Sequence, residues 1–348
     1  MSLTEKPATS AEREAYYSKI APLHYGALWN VLSGLITPTP RSSAQPYRWD
    51  FDEARALLME AGELITAKEA ERRVLILENP GMPGESRITT SLYAGLQLVL
   101  PGEIAPCHRH SQSALRFVME GSGATTSVNG ERTLMERGDF VITPPWAWHD
   151  HGNESEEPMI WMDGLDIPLV SMFDASFAES FKGGETQPIT RPTGDSLARY
   201  GANLLPVDYE RQGPVSPIFN YPYNRSREAL EQMRRQEEWD PCHGLKMRYI
   251  NPVDGGSAMP TISPFIQLLP KGFKSETYRS TDATVFTAVE GSGTSTVGDQ
   301  VFNWTAKDVF VVPSWCPVTH HATDEAVLFS FSDRTAQQKL GLWREARG

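Results

Sequence analysis

The chain's 348 residues are enough for two domains of ordinary size, and 40% hydrophobic with 22% charged residues is the balance of a protein with a packed core. A formal net charge of −12, with no long run of Lys or Arg, argues against a nucleic-acid partner, which needs a basic face. Three scattered cysteines (Cys107, Cys242, Cys316) fit a reducing cytoplasm, Met1–Glu14 has no apolar signal core, and no stretch approaches the ~20 apolar residues that span a membrane.

Residues 1–70 read as an N-terminal helical segment. Ser10 is a candidate N-cap for Ala11–Ile20, and apolar periodicity continues through Leu28–Leu35. Beyond the proline-rich break Pro38–Pro46, Asp52 is placed to cap a second helix. There Ala54, Leu57, Leu58, Ala61, Leu64 and Ile65 recur at i, i+3, i+4 spacing. Residues 71–185 change texture. Arg73–Leu77, Ile88–Leu100, Leu115–Glu120, Phe140–Thr143 and Met159–Met162 are short β-rich runs parted by Gly, Pro, Asn and Asp, the pattern of a sandwich or barrel. Residues 186–245 are proline-rich, with one charged candidate helix, Ser226–Trp239, and read as a connecting segment. The β texture returns over 246–335, ahead of a tail at 336–348.

An internal repeat returns with it. Glu120-Gly121-Ser122-Gly123 reappears as Glu290-Gly291-Ser292-Gly293, an offset of 170. Asp139-Phe140-Val141-Ile142-Thr143-Pro144, then Trp146, reappears as Asp308-Val309-Phe310-Val311-Val312-Pro313, then Trp315, an offset of 169. Two matches in one order at nearly one offset imply a duplicated β domain.

Of eight histidines, four lie between 108 and 151. His108-Arg109-His110 and His149-Asp150-His151 are both H-x-H pairs, and alternate residues of a strand share a face. Imidazoles converging from two such strands suit a divalent transition metal. Three of them on an octahedral ion would leave positions open for a substrate and a small molecule, unlike a closed structural zinc site. The bland reading, satisfied surface or core histidines, weakens once two pairs are flanked by Gly138 and Pro144-Pro145.

The order Gly102, His108-x-His110, then Gly138-x5-Pro144-x4-His149-x3-Asn153 resembles the two cupin motifs. Cupins usually carry a glutamate four or five residues after the second histidine; Ala114 and Leu115 stand there. A three-histidine site without that carboxylate, followed by Arg116, resembles gentisate 1,2-dioxygenase and its relatives acting on salicylate and 1-hydroxy-2-naphthoate. Leu23-His24-Tyr25-Gly26-Ala27-Leu28-Trp29 carries the likeness into the N-terminal helices. The resemblance implies a mainly β chain of two cupin barrels (double-stranded β-helix, jelly-roll) behind an N-terminal helical segment. It implies Fe(II) on His108, His110 and His149, and a pocket of Gly95, Gln97, Arg116, His151 and Asp163. It implies ring opening of gentisate by O2, between the carboxyl-bearing and adjacent hydroxylated carbons, to maleylpyruvate. It also implies a homotetramer exchanging its N-terminal helices.

The residues themselves suggest roles. Arg116 is a planar cation suited to a carboxylate. On its strand Arg116, Val118 and Glu120 would share one face, with Leu115, Phe117 and Met119 on the packed one. His151 shares the face of His149; we assign it to the substrate hydroxyl as a His–Asp pair with Asp163, whose bland alternative is a turn residue before Gly164. Gln97 would orient a hydroxyl or serve as a buried hydrogen bond. Trp146 and Trp148 read equally as pocket wall or barrel packing, and Cys107 should face away from the site. In the second copy the H-x-H positions become Tyr278 and Ser280 and the third falls near Val318. His320-His321 sit close by, but a structural role is expected for that barrel. Competing readings are the same chemistry on salicylate or 1-hydroxy-2-naphthoate, a glutamate-bearing cupin enzyme, and a non-catalytic bicupin binding protein.

Overall fold

The computed structural model describes residues 9–210 and 213–348, so the first eight residues of Met1–Glu14, and Arg211 and Gln212 of the connecting segment, lie outside it. The chain divides between Arg41 and Ser42 into two units. In the first, the cap of Ser10–Ile20 is Thr9, one residue earlier than expected. Its side chain accepts from the Glu12 backbone while Glu12 reaches back to the Thr9 N–H at 2.7 Å, a capping box. Leu28–Leu35 follows, and neither helix has a buried residue.

In the second unit the helix Phe51–Leu64 is capped by Asp50, not Asp52, because the Asp50 carboxylate accepts from Glu53 N at 3.1 Å. The charged helix of the connecting segment runs Tyr223–Arg234, starting just after Pro222. Nearly everything else is antiparallel strand. One barrel sets a sheet of Phe140–Thr143, Ala114–Glu120, Met159–Leu165, Tyr93–Val99 and Val74–Ile76, in that order, against one of Ile104–His110, His149–Asn153, Ala124–Val128 and Glu131–Met135. The other sets Val309–Val312, Thr284–Glu290, Ala326–Ser332, Ser263–Leu269 and Leu245–Arg248 against Gln300–Thr305, Ser292–Val297, Val318–Ala322 and Tyr278–Ser280. The edges are tied crosswise. Tyr47–Trp49, ahead of the first barrel, pairs with Val309–Val312 of the second, and Asn220–Tyr221 of the connecting segment pairs with Phe140–Val141 of the first.

The repeat has a structural basis. Gly121 and Gly291 both turn at positive φ, +86° and +78°, where a Cβ would be strained. Trp146 and Trp315 both sit at φ near +60° and donate their backbone N–H at 2.7 Å to the His110 and Ser280 carbonyls, respectively. His108 pairs with His149 as Tyr278 pairs with Val318.

Period-2 alternation decides what each face of Ala114–Glu120 meets. Leu115, Phe117 and Met119 point out of their barrel into a core shared with Val285, Val327, Phe329 and Phe331 of the other, where Phe117 stacks on Phe329 at 4.1 Å. Val118 points inward with Trp161, Met135 and Val141. Glu120 does not follow Val118. The register slips between Ile160 and Trp161, so Ile160 faces Glu120 while Trp161 faces Val118. That bulge turns Glu120 out to Arg55 at 2.5 Å and Lys307 at 2.7 Å.

Candidate metal centre

Alternation on Ile104–His110 puts His108 and His110 on one face, and the 108–149 pairing brings His149 alongside. One ring nitrogen from each lies within 4.8 Å of the others, the one group of three or more His, Cys, Asp or Glu side chains among the described residues arranged to hold a metal ion. Backbone carbonyls set the tautomers of two. His110 Nδ1–H faces the Gln112 carbonyl and His149 Nδ1–H the Ala147 carbonyl, both at 3.0 Å, which frees Nε2. His149 Nε2 is buried without a hydrogen-bond partner, as expected of an atom that completes its bonding on an ion. His108 Nδ1 lies 3.3 Å from the Pro106 carbonyl and against the Arg72 guanidinium, a group of donors only, so the carbonyl alone does not set the tautomer of this third histidine.

The electrostatics agree. Burial, then the nearby Arg72, holds His108 at about 3, and burial, then Arg116, holds His110 at about 4. Burial and Arg116 push His149 and His151 well down. All four are neutral at pH 7, the form that ligates. The residues present therefore fit a divalent transition metal bound by three neutral imidazoles.

Around that point, inward-facing rows line up across strands. Gly95 faces Asp163, Asp163 faces Arg116, and Gln97 faces Trp161 and Val74. Arg116 is buried, donates from Nη1 to Thr143 Oγ1 at 2.6 Å, and holds its Nε 3.6 Å from Asp163 Oδ1. Asp163 also accepts from Trp161 Nε1 at 3.1 Å, and burial raises its carboxyl to about 6 against the pull of Arg116. A Cβ on Gly95 would fall 2.5 Å from Val74 Cγ1 and 2.9 Å from Tyr93 Oη, so only glycine lets those side chains close over this strand.

The family model of the cupin domain matches residues 95–167. Over 347 residues and the full length of both chains, the sequence is 68% identical to gentisate 1,2-dioxygenase 1 of Aquipseudomonas alcaligenes. The chain belongs to the gentisate 1,2-dioxygenase family. A 1-hydroxy-2-naphthoate 1,2-dioxygenase of Nocardioides is 33% identical over 97% of this chain and 88% of its own. The structure superposes with TM-score 0.92 on a salicylate 1,2-dioxygenase from Pseudoaminobacter salicylatoxidans described with gentisate adducts, at 34% identity over 100% of this chain and 97% of that one. Like these relatives, the chain is a ring-cleaving dioxygenase.

In this member of the family one expected contact is absent, and one open choice is decided. His151 and Asp163 do not pair. Both ring nitrogens of His151 are buried without a hydrogen bond, and Trp161, edge-on to His151 at 5.4 Å, takes the Asp163 oxygen. Trp146 and Trp148 do not line the pocket. They sandwich the Arg109 guanidinium at 4.5 Å each, on the face opposite the metal ligands. Cys107, on that same alternate face, is buried. One residue near the site went unsingled in the sequence. Arg72, inside Glu71-Arg72-Arg73, donates to the Pro106 carbonyl at 2.7 Å and reaches His108, while Arg73 turns to Glu103 at 2.8 Å. In the second barrel, alternation sends His320 inward and His321 to the surface.

Proposed function

We propose that this chain is an iron(II)-dependent gentisate 1,2-dioxygenase, opening 2,5-dihydroxybenzoate between C1 and C2 with O2 to give maleylpyruvate. The observation that carries the reading is the juxtaposition of three metal-competent imidazole nitrogens with a buried guanidinium and no protein carboxylate among the ligands. His108, His110 and His149 would hold the ion. Bound there, iron(II) supplies open coordination positions and the redox chemistry that joins an electron-rich ring to O2. Three neutral ligands leave its charge undiminished, which favours a chelating carboxylate and phenolate.

The chain's own residues do the rest. Arg116, fixed by Thr143 and Asp163, presents a charged planar edge to the substrate carboxylate. Arg72 adds a second cation, so two guanidiniums against one carboxylate leave the pocket positive. His151, neutral with both ring nitrogens unpartnered, takes the phenolic proton's hydrogen bond. Gln97 orients the ring from a wall that Gly95 lets Val74 and Tyr93 close, and Trp161 and Val118 keep water from behind it.

The same likeness supports cytoplasmic residence and a homotetramer. All three cysteines are free, and among the described residues no helix is long and apolar enough to cross a membrane. Leu28, Trp29, Leu32 and Leu35 leave an apolar face exposed in the single chain, as expected of a segment that packs on a neighbour. The test is oxygen uptake after anaerobic iron(II) loading. Gentisate should consume one O2 per ring, with ultraviolet growth of the opened product. No uptake would overturn the reading, and a higher kcat/KM with salicylate or 1-hydroxy-2-naphthoate would replace gentisate by that acid.

A further inference from the structure

The second barrel keeps a charged interior although its metal ligands are gone. Matching strand registers place Phe265 where the first barrel has Gly95, Phe286 where it has Arg116, Gln267 where it has Gln97 and His320 where it has His151. Lys246 faces Gln267 as Val74 faces Gln97. The cation and the apolar side chain have therefore exchanged strands. Arg116 has become Phe286, and Val74 has become Lys246.

Lys246 Nζ lies 4.8 Å from the Phe265 ring centroid and 5.6 Å from that of Phe286. Among the described residues no carboxylate lies within ion-pair distance of it. The acids near enough to act on it are each engaged elsewhere: Asp282 with Arg334 Nε at 3.3 Å and Trp343 Nε1 at 2.8 Å, Asp240 with Arg347 Nη1 at 2.7 Å, and Glu345 with Tyr278 Oη at 2.9 Å. Burial, then Arg334, lowers Lys246 to about 7, the mark of a cation without an ion-pair partner, and such a group in a protein interior is held charged by a counter-ion. A second donor points the same way. Trp304 Nε1–H donates to Ser295 Oγ at 2.8 Å, and among the described residues the acceptor within reach of the Ser295 hydroxyl's own proton is His320 Nδ1, also at 2.8 Å. That fixes the proton of neutral His320 on Nε2. Lys246 and His320 line one cavity of about 20 Å³, adjoining a recess of about 400 Å³ that shares His243, Lys246, Phe265 and Arg334 with it. Phe265 and Phe286 line that small cavity, so an aromatic ring is excluded while a small anion is not.

We propose that the second barrel binds a small carboxylate, of formate or acetate size, between Lys246 Nζ and His320 Nε2–H, at the place that mirrors the pocket of the first barrel. The claim is independent of which ring the first barrel opens.

Acetate is the probe, titrated into the full-length iron-loaded protein in a chloride-free sulfonate buffer at fixed ionic strength. Binding is read by the shift in melting temperature and by acetate density in soaked crystals. Wild type and a His110→Ala variant, whose first site is disabled, should both be stabilised and show acetate at Lys246. Lys246→Met should weaken binding at least tenfold, and Lys246→Arg should retain it. Equal stabilisation of Lys246→Met, or no stabilisation and no density in wild type, would overturn the proposal. Should Lys246→Met fail to fold, loss of acetate density in His320→Phe would decide the matter, and its persistence would count against the site.

Discussion

Arg116 and Asp163 stand opposite each other on neighbouring antiparallel strands, both buried, with Arg116 Nε 3.6 Å from Asp163 Oδ1. The pair is at once a substrate device and a stability liability, because either charge alone would be stranded inside the barrel. Arg116→Met should raise KM for gentisate at least tenfold, about 1.4 kcal/mol. It should also destabilise the fold by about 3–5 kcal/mol by leaving Asp163 unpaired. Arg116→Met with Asp163→Asn should recover most of that stability and none of the affinity. Steady-state kinetics and thermal melts on the three proteins separate the two effects. An unchanged KM in the single variant would remove Arg116 from substrate binding.

His149 and His151 share a strand face, yet they should respond differently. His149 has its Nδ1 on the Ala147 carbonyl and a stranded Nε2, while His151 has neither nitrogen engaged. His149→Ala should lose bound iron after dialysis and lose oxygen uptake with it. His151→Asn should keep near-stoichiometric iron while turnover falls by about 10²-fold, the lower range for a lost proton-handling group. Metal analysis beside kinetics makes the check, and iron loss from His151→Asn would make it a ligand.

Much of this site could be read from the chain because its determinants are local. Alternation along a strand put His108 and His110 on one face and Cys107 on the other, and the Gly-Pro punctuation around His149 set the returning strand. The repeat at offsets of 170 and 169 exposed the second barrel because the same positive-φ turns recur at Gly121 and Gly291. What escaped was non-local. A bulge that turns Glu120 outward leaves no trace in a two-residue period, and Asp163 found Arg116 rather than His151 because sheet pairing, not sequence proximity, chose its neighbour. Nothing in Glu71-Arg72-Arg73 says which arginine reaches the histidines. The strand Tyr47–Trp49 pairs with a partner more than 250 residues away, so no local window holds both.

Phe117 and Phe329 stack 4.1 Å apart at 12°, each fully buried, at the centre of the core that joins the barrels. Phe329→Ala should cost about 3–5 kcal/mol. Since the core is continuous, urea should unfold both barrels in one step, at a lower midpoint in the variant. Trp161 reports on the first barrel and Trp304 on the second, so single-tryptophan variants can follow each. Separate midpoints would show that the barrels fold as independent units.

The pH dependence of stability should carry the signature of the buried histidines. Burial, then the charge of Lys246, holds His320 at about 3, whereas an unfolded imidazole titrates near 6.5. Between those values the unfolded chain binds the extra proton, so this residue's contribution is intact above pH 6.5 and is lost as pH falls toward 3. From pH 8 to pH 5 wild type should therefore lose about 2 kcal/mol relative to His320→Asn. The lost Ser295 hydrogen bond adds a constant offset that leaves the slope untouched. Asp163 and Asp333, raised by burial to about 6, act with the opposite sign but are common to both proteins and cancel in the difference. Melting curves of metal-free wild type and variant across that range are the measurement, and parallel profiles would mean that His320 takes up its proton inside the folded barrel as readily as in water.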